Sequence, residues 1–302
     1  MSNAKLTFLG TGTSQGVPII GCRCDVCRSA DPRDKRLRSA ALVEYGGLTI
    51  LVDAGPDFRT QMLREGVSHL DAILLTHNHM DHTGGLDDVR ALNYIDRKAV
   101  HIYCEEKVLN TLKVMYGYAF AEHKYPGSPE WRIHLIDDRP FAVTPVEGGD
   151  LVWMHEKGYC IQMPDGSVVP CGNDIVTAAE APEPEILGAG GVEIVPIRGF
   201  HGQMPVLGFR FGDIAYITDM SSIPDEEFSK LRGLEHLTLN TVSYHPHHSH
   251  FSLSEAVAMA QRIGAKHTWL THLSHTFPTH SRFDSELPEG ISPAYDGLVI
   301  CD

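Results

Sequence analysis

The stretch of residues 72–86 constrains this chain most, because metal-binding side chains follow an apolar strand there. Residues 72–75 are all apolar and predict a buried strand. The strand is followed by His77, His79, Asp81 and His82. Alternate residues of an extended segment point the same way, so the first two histidines can hold one ion. The other two ligands, after a turn, can hold a second ion, and imidazole and carboxylate suit zinc, manganese or iron.

More candidate ligands follow predicted strands much further along the chain. Strands predicted near residues 192–198, 214–218 and 266–271 end at a histidine or an aspartate. These residues are His201, Asp219 and His272. A histidine-rich turn, 245–250, precedes a capping-box pattern that opens a helix. Strand ends are where active-site loops collect, so the histidines predict convergence on a metal site.

The chain has seven cysteines, three of which crowd together as Cys22, Cys24 and Cys27. This spacing is too short for mutual disulfides to be the purpose. Three thiolates can coordinate zinc tetrahedrally if a fourth ligand comes from elsewhere, and buried free thiols are the alternative. The other four, which are Cys104, Cys160, Cys171 and Cys301, are scattered, and we expect them to remain thiols in a reducing cytosol.

The composition and charge of the chain limit the kinds of partner that it can bind. Its 302 residues are 42% hydrophobic and predict a globular protein with a sizeable core. The formal net charge of −14 argues against binding to nucleic acid or to an anionic membrane, because phosphate affinity comes from clustered Lys and Arg. No basic-then-apolar signal and no membrane-spanning run is present, so we expect a cytoplasmic protein with no membrane partner.

The first half of the chain predicts alternating strands and helices. Strands at 40–45 and 48–53 predict a hairpin around two glycines. Asp53 then has two equal interpretations: it orients a ligand histidine, or it caps the helix predicted over 56–64. The aromatic and polar segment 116–139 has no clear period and predicts an irregular lid.

The composition changes near residues 146–191, where glycine, proline and acidic residues are frequent. We interpret this segment as an insertion with a short hairpin and not as an independent domain. The prediction is therefore one domain, 1–302, that carries an insertion at about 146–191.

The pattern His-x-His-x-Asp-His after an apolar strand resembles the metallo-β-lactamase superfamily. The resemblance implies an α/β fold, a four-layer αβ/βα sandwich with metals between its sheets. It implies that one metal is held by His77, His79 and His201. The second would be held by Asp81, His82 and His272, with Asp219 bridging the two.

Two further motifs are similar to those of the PhnP-type phosphodiesterases. They are the cysteine cluster and the sequence Thr-His-x-x-His that ends at His275. The resemblance implies a structural zinc held by Cys22, Cys24, Cys27 and His275. It also implies that His250 binds phosphate and protonates the leaving oxygen. His248 is the nearest rival, and a solvated histidine-rich turn is the alternative.

These observations predict a metal-dependent hydrolase, a phosphodiesterase acting on a small, cyclic or linear phosphodiester. Two catalytic metals, Zn or Mn, would share a hydroxide beside Asp81 and His250, and one structural Zn would stabilise the fold. Other hydrolases of the superfamily are alternatives, namely a tRNA 3′-processing-type nuclease, an esterase, a thioesterase or a lactonase. A PqqB-like cofactor-biosynthesis protein and a metal-dependent binding module are also alternatives. The resemblance allows a homodimer.

Overall fold

The computed structural model describes residues 4–125, 127–145, 150–154, 158–162, 167–170, 175–176 and 190–302. The chain divides into two compact units. The first unit consists of Met1–Gly46 and Ile194–Asp302, and the second consists of Gly47–Glu193. Every helix in the described ranges is too short or too polar to cross a lipid bilayer.

The described strands alternate with short helices along the chain. The strands are β1 Ala4–Gly10, β2 Ala40–Tyr45, β3 Leu48–Val52, β4 Ala72–Leu74, β5 Val100–Cys104, β6 Trp131–Leu135, β7 Phe141–Val143, β8 Asp150–Met154, β9 Gly158–Gln162, β10 Val168–Pro170, β11 Ile175–Val176, β12 Val192–His201, β13 Met204–Phe211, β14 Ile214–Tyr216, β15 His236–Asn240, β16 His267–Thr271, β17 Ile291–Pro293 and β18 Val299–Cys301. The α-helices are α1 Asp25–Arg28, α2 Phe58–Glu65, α3 Met80–Thr83, α4 Arg90–Asp96, α5 Glu106–Met115, α6 Leu253–Ile263 and α7 His280–Glu286. Turns of 3₁₀ helix cover Pro32–Asp34, Leu86–Val89, Gly117–Ala119 and Asp225–Leu231.

The first unit contains a mixed sheet with the strand order β17-β16-β15-β14-β13-β12. Strands β14 to β17 pair in parallel, and β13 pairs antiparallel with both β12 and β14. Strand β12 therefore runs in the same direction as β14 and β16. The carboxyl ends of these three strands consequently lie at one edge of the sheet, which is where α/β proteins place their sites.

Two further features stabilise the first unit. Strand β1 pairs antiparallel with β2 and with β18, which ties the two ends of the described chain together. Helix α6 begins with the predicted capping box of Ser252 and Glu255. Its buried residues Ala256 and Ala260 join the apolar cluster that includes Leu270.

The second unit contains a parallel sheet with the strand order β11-β6-β5-β4-β3. Strands β3 and β4 are almost wholly buried and apolar, as parallel strands covered on both faces require. In the register, Val52 of β3 lies opposite Leu74 of β4. The residues after these two strands, 53 and 75–77, consequently emerge at the same edge.

Two segments of the second unit differ from the predictions. The segment 116–139 is not wholly irregular, because residues 131–135 form β6. Trp131 is 1% exposed, and its ring packs edge-on against Tyr116 at 5.4 Å between ring centroids, so tertiary burial stabilises a strand too short to show a period. In the insertion, β8 and β9 form the predicted antiparallel pair, and β10 adds a third strand. Cys171 lies outside the described residues.

Candidate metal sites

Three predicted ligands of the second unit have their rings packed together at the end of β4. The ring centroid of His77 lies 4.6 Å from that of His79 and 4.2 Å from that of His82. Asp81 is adjacent, with Oδ2 3.3 Å from Nε2 of His82. The four side chains of the motif, which are close in sequence, therefore also lie close together in space.

The backbone after β4 turns sharply to make this arrangement. His79 is the N-cap residue of α3, a helix of four residues that carries Asp81 and His82. The loop after β3 approaches this helix closely, and a Cβ atom at Gly55 would overlap the backbone oxygen of Asp81. Glycine is required at this position because only its missing side chain permits the close approach.

A buried carboxylate orients two of these imidazoles. Asp53 is 0% exposed, and its Oδ2 lies 2.6 Å from Nδ1 of His82. The hydroxyl of Thr76 donates to the same Oδ2 at 2.8 Å and lies 2.9 Å from Nδ1 of His77. Because Nδ1 of each histidine is held in this way, Nε2 is the nitrogen presented to a metal.

The position of Asp53 decides between the two interpretations of this residue. The N-cap position of α2 belongs to Asp57, so Asp53 orients the ligand histidines and does not cap the helix. Burial raises the pKa of the Asp53 carboxyl, and the adjacent His82 opposes that rise. The carboxylate thus depends on its hydrogen bonds to remain ionised without solvent.

The first unit brings a second set of predicted ligands together at the edge of its sheet. Asp219 Oδ2 lies 3.3 Å from Nδ1 of His272, and Asp219 Oδ1 lies 3.8 Å from Nδ1 of His250. His201 Nδ1 donates to the backbone oxygen of Asp219 at 3.0 Å. A ring nitrogen of His201 also lies within 4.8 Å of an Asp219 carboxylate oxygen, so three imidazoles lie near this one carboxylate.

Several of the site residues also have an unusual backbone conformation, with a positive φ angle. Among the described non-glycine residues, positive φ occurs at Asp53 (66°), Asp219 (59°), His272 (58°) and Arg97 (52°). Three of the four belong to the candidate sites. Left-handed backbone is uncommon for non-glycine residues, although aspartate and histidine adopt it more readily than most, so packing and hydrogen bonds hold it here. The amide after Asp219, that of Met220, donates to Asn240 Oδ1 at 2.8 Å.

His250 belongs to this cluster, whereas its predicted rival His248 is exposed. The His250 side chain is 11% exposed, and its ring lies 4.5 Å from that of His201 and 4.8 Å from that of His272. Burial, followed by the nearby charge of His272, lowers the pKa of His250 to about 3. The imidazole is therefore neutral near pH 7 despite the nearby Asp219 carboxylate, and the negative charge of a bound phosphate would raise its pKa.

The cysteine cluster and His275 meet within the first unit. Nδ1 of His275 lies 3.2 Å from Sγ of Cys22, 3.5 Å from Sγ of Cys24 and 3.6 Å from Sγ of Cys27. Tetrahedral zinc with Zn–S about 2.3 Å and Zn–N about 2.0 Å would separate sulfur and nitrogen by about 3.5 Å. The four ligand atoms therefore fit one zinc ion, and the sequence separation of some 250 residues explains why the fourth ligand was not evident from spacing alone.

Two residues that contact the ligand histidines were not singled out by the sequence. Thr76 precedes His77 directly, and its position inside the motif was the available signal. Ser39 lies 233 positions from His272, whose Nδ1 is 3.2 Å from the Ser39 hydroxyl. No local pattern marks such a distant pair, because the pairing depends on the tertiary fold.

Comparison with known proteins defines the class. Residues 49–156 and 153–273 match the model of the β-lactamase superfamily domain. The chain belongs to the β-lactamase superfamily, and its predicted metallo-β-lactamase fold is confirmed.

The solved structures narrow the relationship. The chain is similar to the crystal structure of a new diphosphatase from the PhnP family, with 37% identity and a TM-score of 0.78 over 100% of this chain and 98% of that one. Zinc-bound PqqB from Methylobacterium extorquens has a TM-score of 0.63 over 98% of this chain and 99% of that one. Its identity is 18%, so it shows a shared fold only.

The chain is also 35% identical, over 297 residues, to the octanoyltransferase of Porphyromonas gingivalis. The match covers 97% of this chain and 51% of that protein. The chain spans about half the length of the first curated relatives it matches.

Proposed function

We propose that this protein is a metal-dependent hydrolase that cleaves a small phosphodiester or diphosphate. Superfamily membership and the 37% identity to a PhnP-family diphosphatase support a phosphoric ester as the substrate. The observation that carries the proposal is the carboxylate of Asp219, which His272 and His250 approach from its two oxygens. His272 is a predicted ligand of the second metal, and His201, a predicted ligand of the first, has a ring nitrogen within 4.8 Å of an Asp219 oxygen, so this carboxylate suits a bridge between two metals.

We assign the metal ligands as the superfamily pattern implies. His77, His79 and His201 would hold the first metal, and Asp81, His82 and His272 the second. Asp219 would bridge them. Imidazole and carboxylate suit both zinc and manganese, so the proposal covers either ion. A separate structural zinc would be held by the three clustered cysteines and His275, whose donor set favours zinc.

Divalent ions bound in this way would activate a water molecule and neutralise negative charge on the phosphate. The protein contributes by fixing the ligands, as Asp53 and Thr76 fix His77 and His82. We assign His250 to contact the phosphate and donate a proton to the leaving oxygen, because its ring lies against two predicted ligands in a largely buried position. Asp81 is assigned to the second metal and to the attacking water.

The test is hydrolysis of bis(p-nitrophenyl) phosphate by the Asp219→Ala variant, with zinc and manganese content measured by mass spectrometry. We expect activity to fall by at least about 10³-fold, because the bridge between the metals is lost. Asp213→Ala is the matched control, since Asp213 is an exposed turn aspartate of the same unit. Turnover by a folded Asp219→Ala protein equal to that of the control would overturn the proposal.

A panel of substrates separates the alternatives. A nuclease that processes tRNA would cleave precursor RNA, which the net charge of −14 disfavours. Lactones and thioesters test the other hydrolytic activities of the superfamily. The octanoyltransferase name belongs to a protein about twice as long, so acyl transfer is not proposed for this chain. The cytoplasmic location and the homodimer remain predictions.

A further inference from the structure

An open pocket of about 570 Å³ lies in the first unit beside the predicted structural zinc. Besides Cys24 and His275, it is lined by Tyr244, Phe277, Thr279, Arg282 and Glu286. Its volume falls within the range of small-molecule sites, which is about 300–1,000 Å³. Apart from Cys24 and His275, none of these lining residues has a role in the function proposed above.

The pocket lies at the edge of the sheet that carries the predicted ligands. Tyr244 belongs to the loop after β15, the same loop that carries His250. Phe277 and Thr279 belong to the loop after β16, which begins with His272. Strands β15 and β16 are parallel, so both loops leave the same edge of the sheet. The pocket and two predicted site residues, His250 and His272, are therefore carried by the same two loops.

The pocket offers an aromatic surface held in a fixed position. Tyr244 is 42% exposed, and its ring meets the ring of Phe277 at 5.1 Å between centroids with an angle of 63°. The hydroxyl of Tyr244 donates to Glu286 Oε2 at 2.7 Å. These two contacts fix the ring and leave part of it open to stack on a planar ligand.

A cation lies beside this aromatic surface. Arg282 donates from Nε to Glu286 Oε1 at 3.0 Å, so the carboxylate holds both the tyrosine and the arginine. The two terminal nitrogens of Arg282 have no hydrogen-bond partner among the described residues of the chain. These nitrogens can only donate hydrogen bonds, so they can bind carbonyl oxygens but not amino groups.

We propose that this pocket binds a planar heteroaromatic ring that carries carbonyl oxygens, and that the substrate is a phosphoric ester of a nucleoside with a pyrimidine base of this kind. The ring would stack on Tyr244 and accept a hydrogen bond from Arg282. This inference rests on the proposed function and adds the chemical class of the group attached to the phosphate.

The experiment compares two esters with the same leaving group, thymidine 5′-(p-nitrophenyl phosphate) and methyl p-nitrophenyl phosphate, on the metal-loaded protein. We expect kcat/KM to favour the thymidine ester by at least tenfold, mainly through a lower KM. The variants Tyr244→Ala and Arg282→Met should each reduce this preference towards one. Tyr94→Ala is the matched control, because Tyr94 is an exposed tyrosine (53%) of the other unit.

The outcomes separate this inference from the proposed function. Equal kcat/KM for the two esters, or an unchanged preference in a folded Tyr244→Ala protein, would overturn the pocket assignment. Hydrolysis of the esters would in that case still support the proposed phosphodiesterase activity. If neither ester is hydrolysed, the phosphodiesterase activity in the proposed function fails, and binding of thymidine 5′-monophosphate by calorimetry still tests the pocket. We then expect Tyr244→Ala, but not Tyr94→Ala, to weaken binding at least tenfold, and equal affinity in both variants would overturn the assignment.

Discussion

The hydroxyl of Ser39 lies 3.2 Å from Nδ1 of His272, and it donates a hydrogen bond to the backbone oxygen of Gly12 at 3.0 Å. Because its proton goes to Gly12, the hydroxyl accepts from Nδ1–H of His272. This contact selects the tautomer of His272 that presents Nε2 to a metal. Both Ser39 and His272 are buried, so water cannot easily replace the interaction.

Replacing Ser39 by alanine should weaken the second predicted metal position. Loss of a group that orients a ligand histidine costs about 10- to 100-fold in metal affinity or activity. Metal titration against a competing chelator and kcat/KM for bis(p-nitrophenyl) phosphate both measure the effect. Ser14→Ala, at an exposed serine, is the control and should leave both values unchanged. Equal values for the two variants would mean that Ser39 has no positioning role.

We predict that the cysteine cluster holds one zinc ion that remains bound under mild chelation. The sulfur–nitrogen distances around His275 fit a closed tetrahedral site, which exchanges its metal slowly. In Cys24→Ser we expect about one zinc per chain less than in the parent protein, measured by elemental analysis after treatment with a weak chelator. Cys301→Ser changes an exposed thiol and serves as the control. Full zinc content in a folded Cys24→Ser protein would contradict the prediction.

Gly55→Ala should displace α3, because the added Cβ would overlap the backbone oxygen of Asp81. The backbone there cannot move aside as the end of a flexible side chain can, so we expect destabilisation of about 1–3 kcal/mol. Denaturant unfolding measures this change. Gly117→Ala is the control, since a Cβ at Gly117 would meet no atom within 4 Å. Equal stability of the two variants would show that the close approach of Gly55 to the backbone of α3 does not occur in solution.

Acid should destabilise the second unit through a pair of histidines, of which His101 is buried and His134 is half-buried. His134 Nε2 lies 3.2 Å from Nδ1 of His101. Burial lowers the pKa of His101 to about 4 and that of His134 to about 3, with Arg132 lowering both and Asp71 opposing the shift of His101. The unfolded chain takes up these protons near pH 6.5, so the stabilisation is complete above that pH and is lost as the pH falls towards 4.

The corresponding measurement is the free energy of unfolding between pH 8 and pH 4. We expect a decrease of a few kcal/mol, of which His134→Phe should remove part, because phenylalanine can keep the stacking on Tyr103 and takes up no proton. His123→Phe changes an exposed histidine of the same unit and should leave the pH dependence as it is. An identical pH dependence in both variants would exclude this histidine pair as its origin.

Much of the local structure was predictable from the sequence because its causes are local. The apolar run before His77 predicted β4, and the Ser252–Glu255 pair predicted the start of α6. The prediction for segment 116–139 was wrong in part, because it missed strand β6. This strand is only five residues long, and its stability comes from packing around Trp131. A pattern so short carries too little periodic signal to outweigh its mixed composition.

The amino-acid sequence by itself determined the type of chemistry, since the spacing of histidine, aspartate and cysteine in short motifs already specifies metal ligands. Only the tertiary structure decided which distant groups orient them, as with Asp53 on His82 and Ser39 on His272. It also decided that Tyr244 and Arg282 share a pocket. The physical reason is that hydrogen bonds and burial depend on distance in space, which is set when sheets and loops pack, and not on separation along the chain.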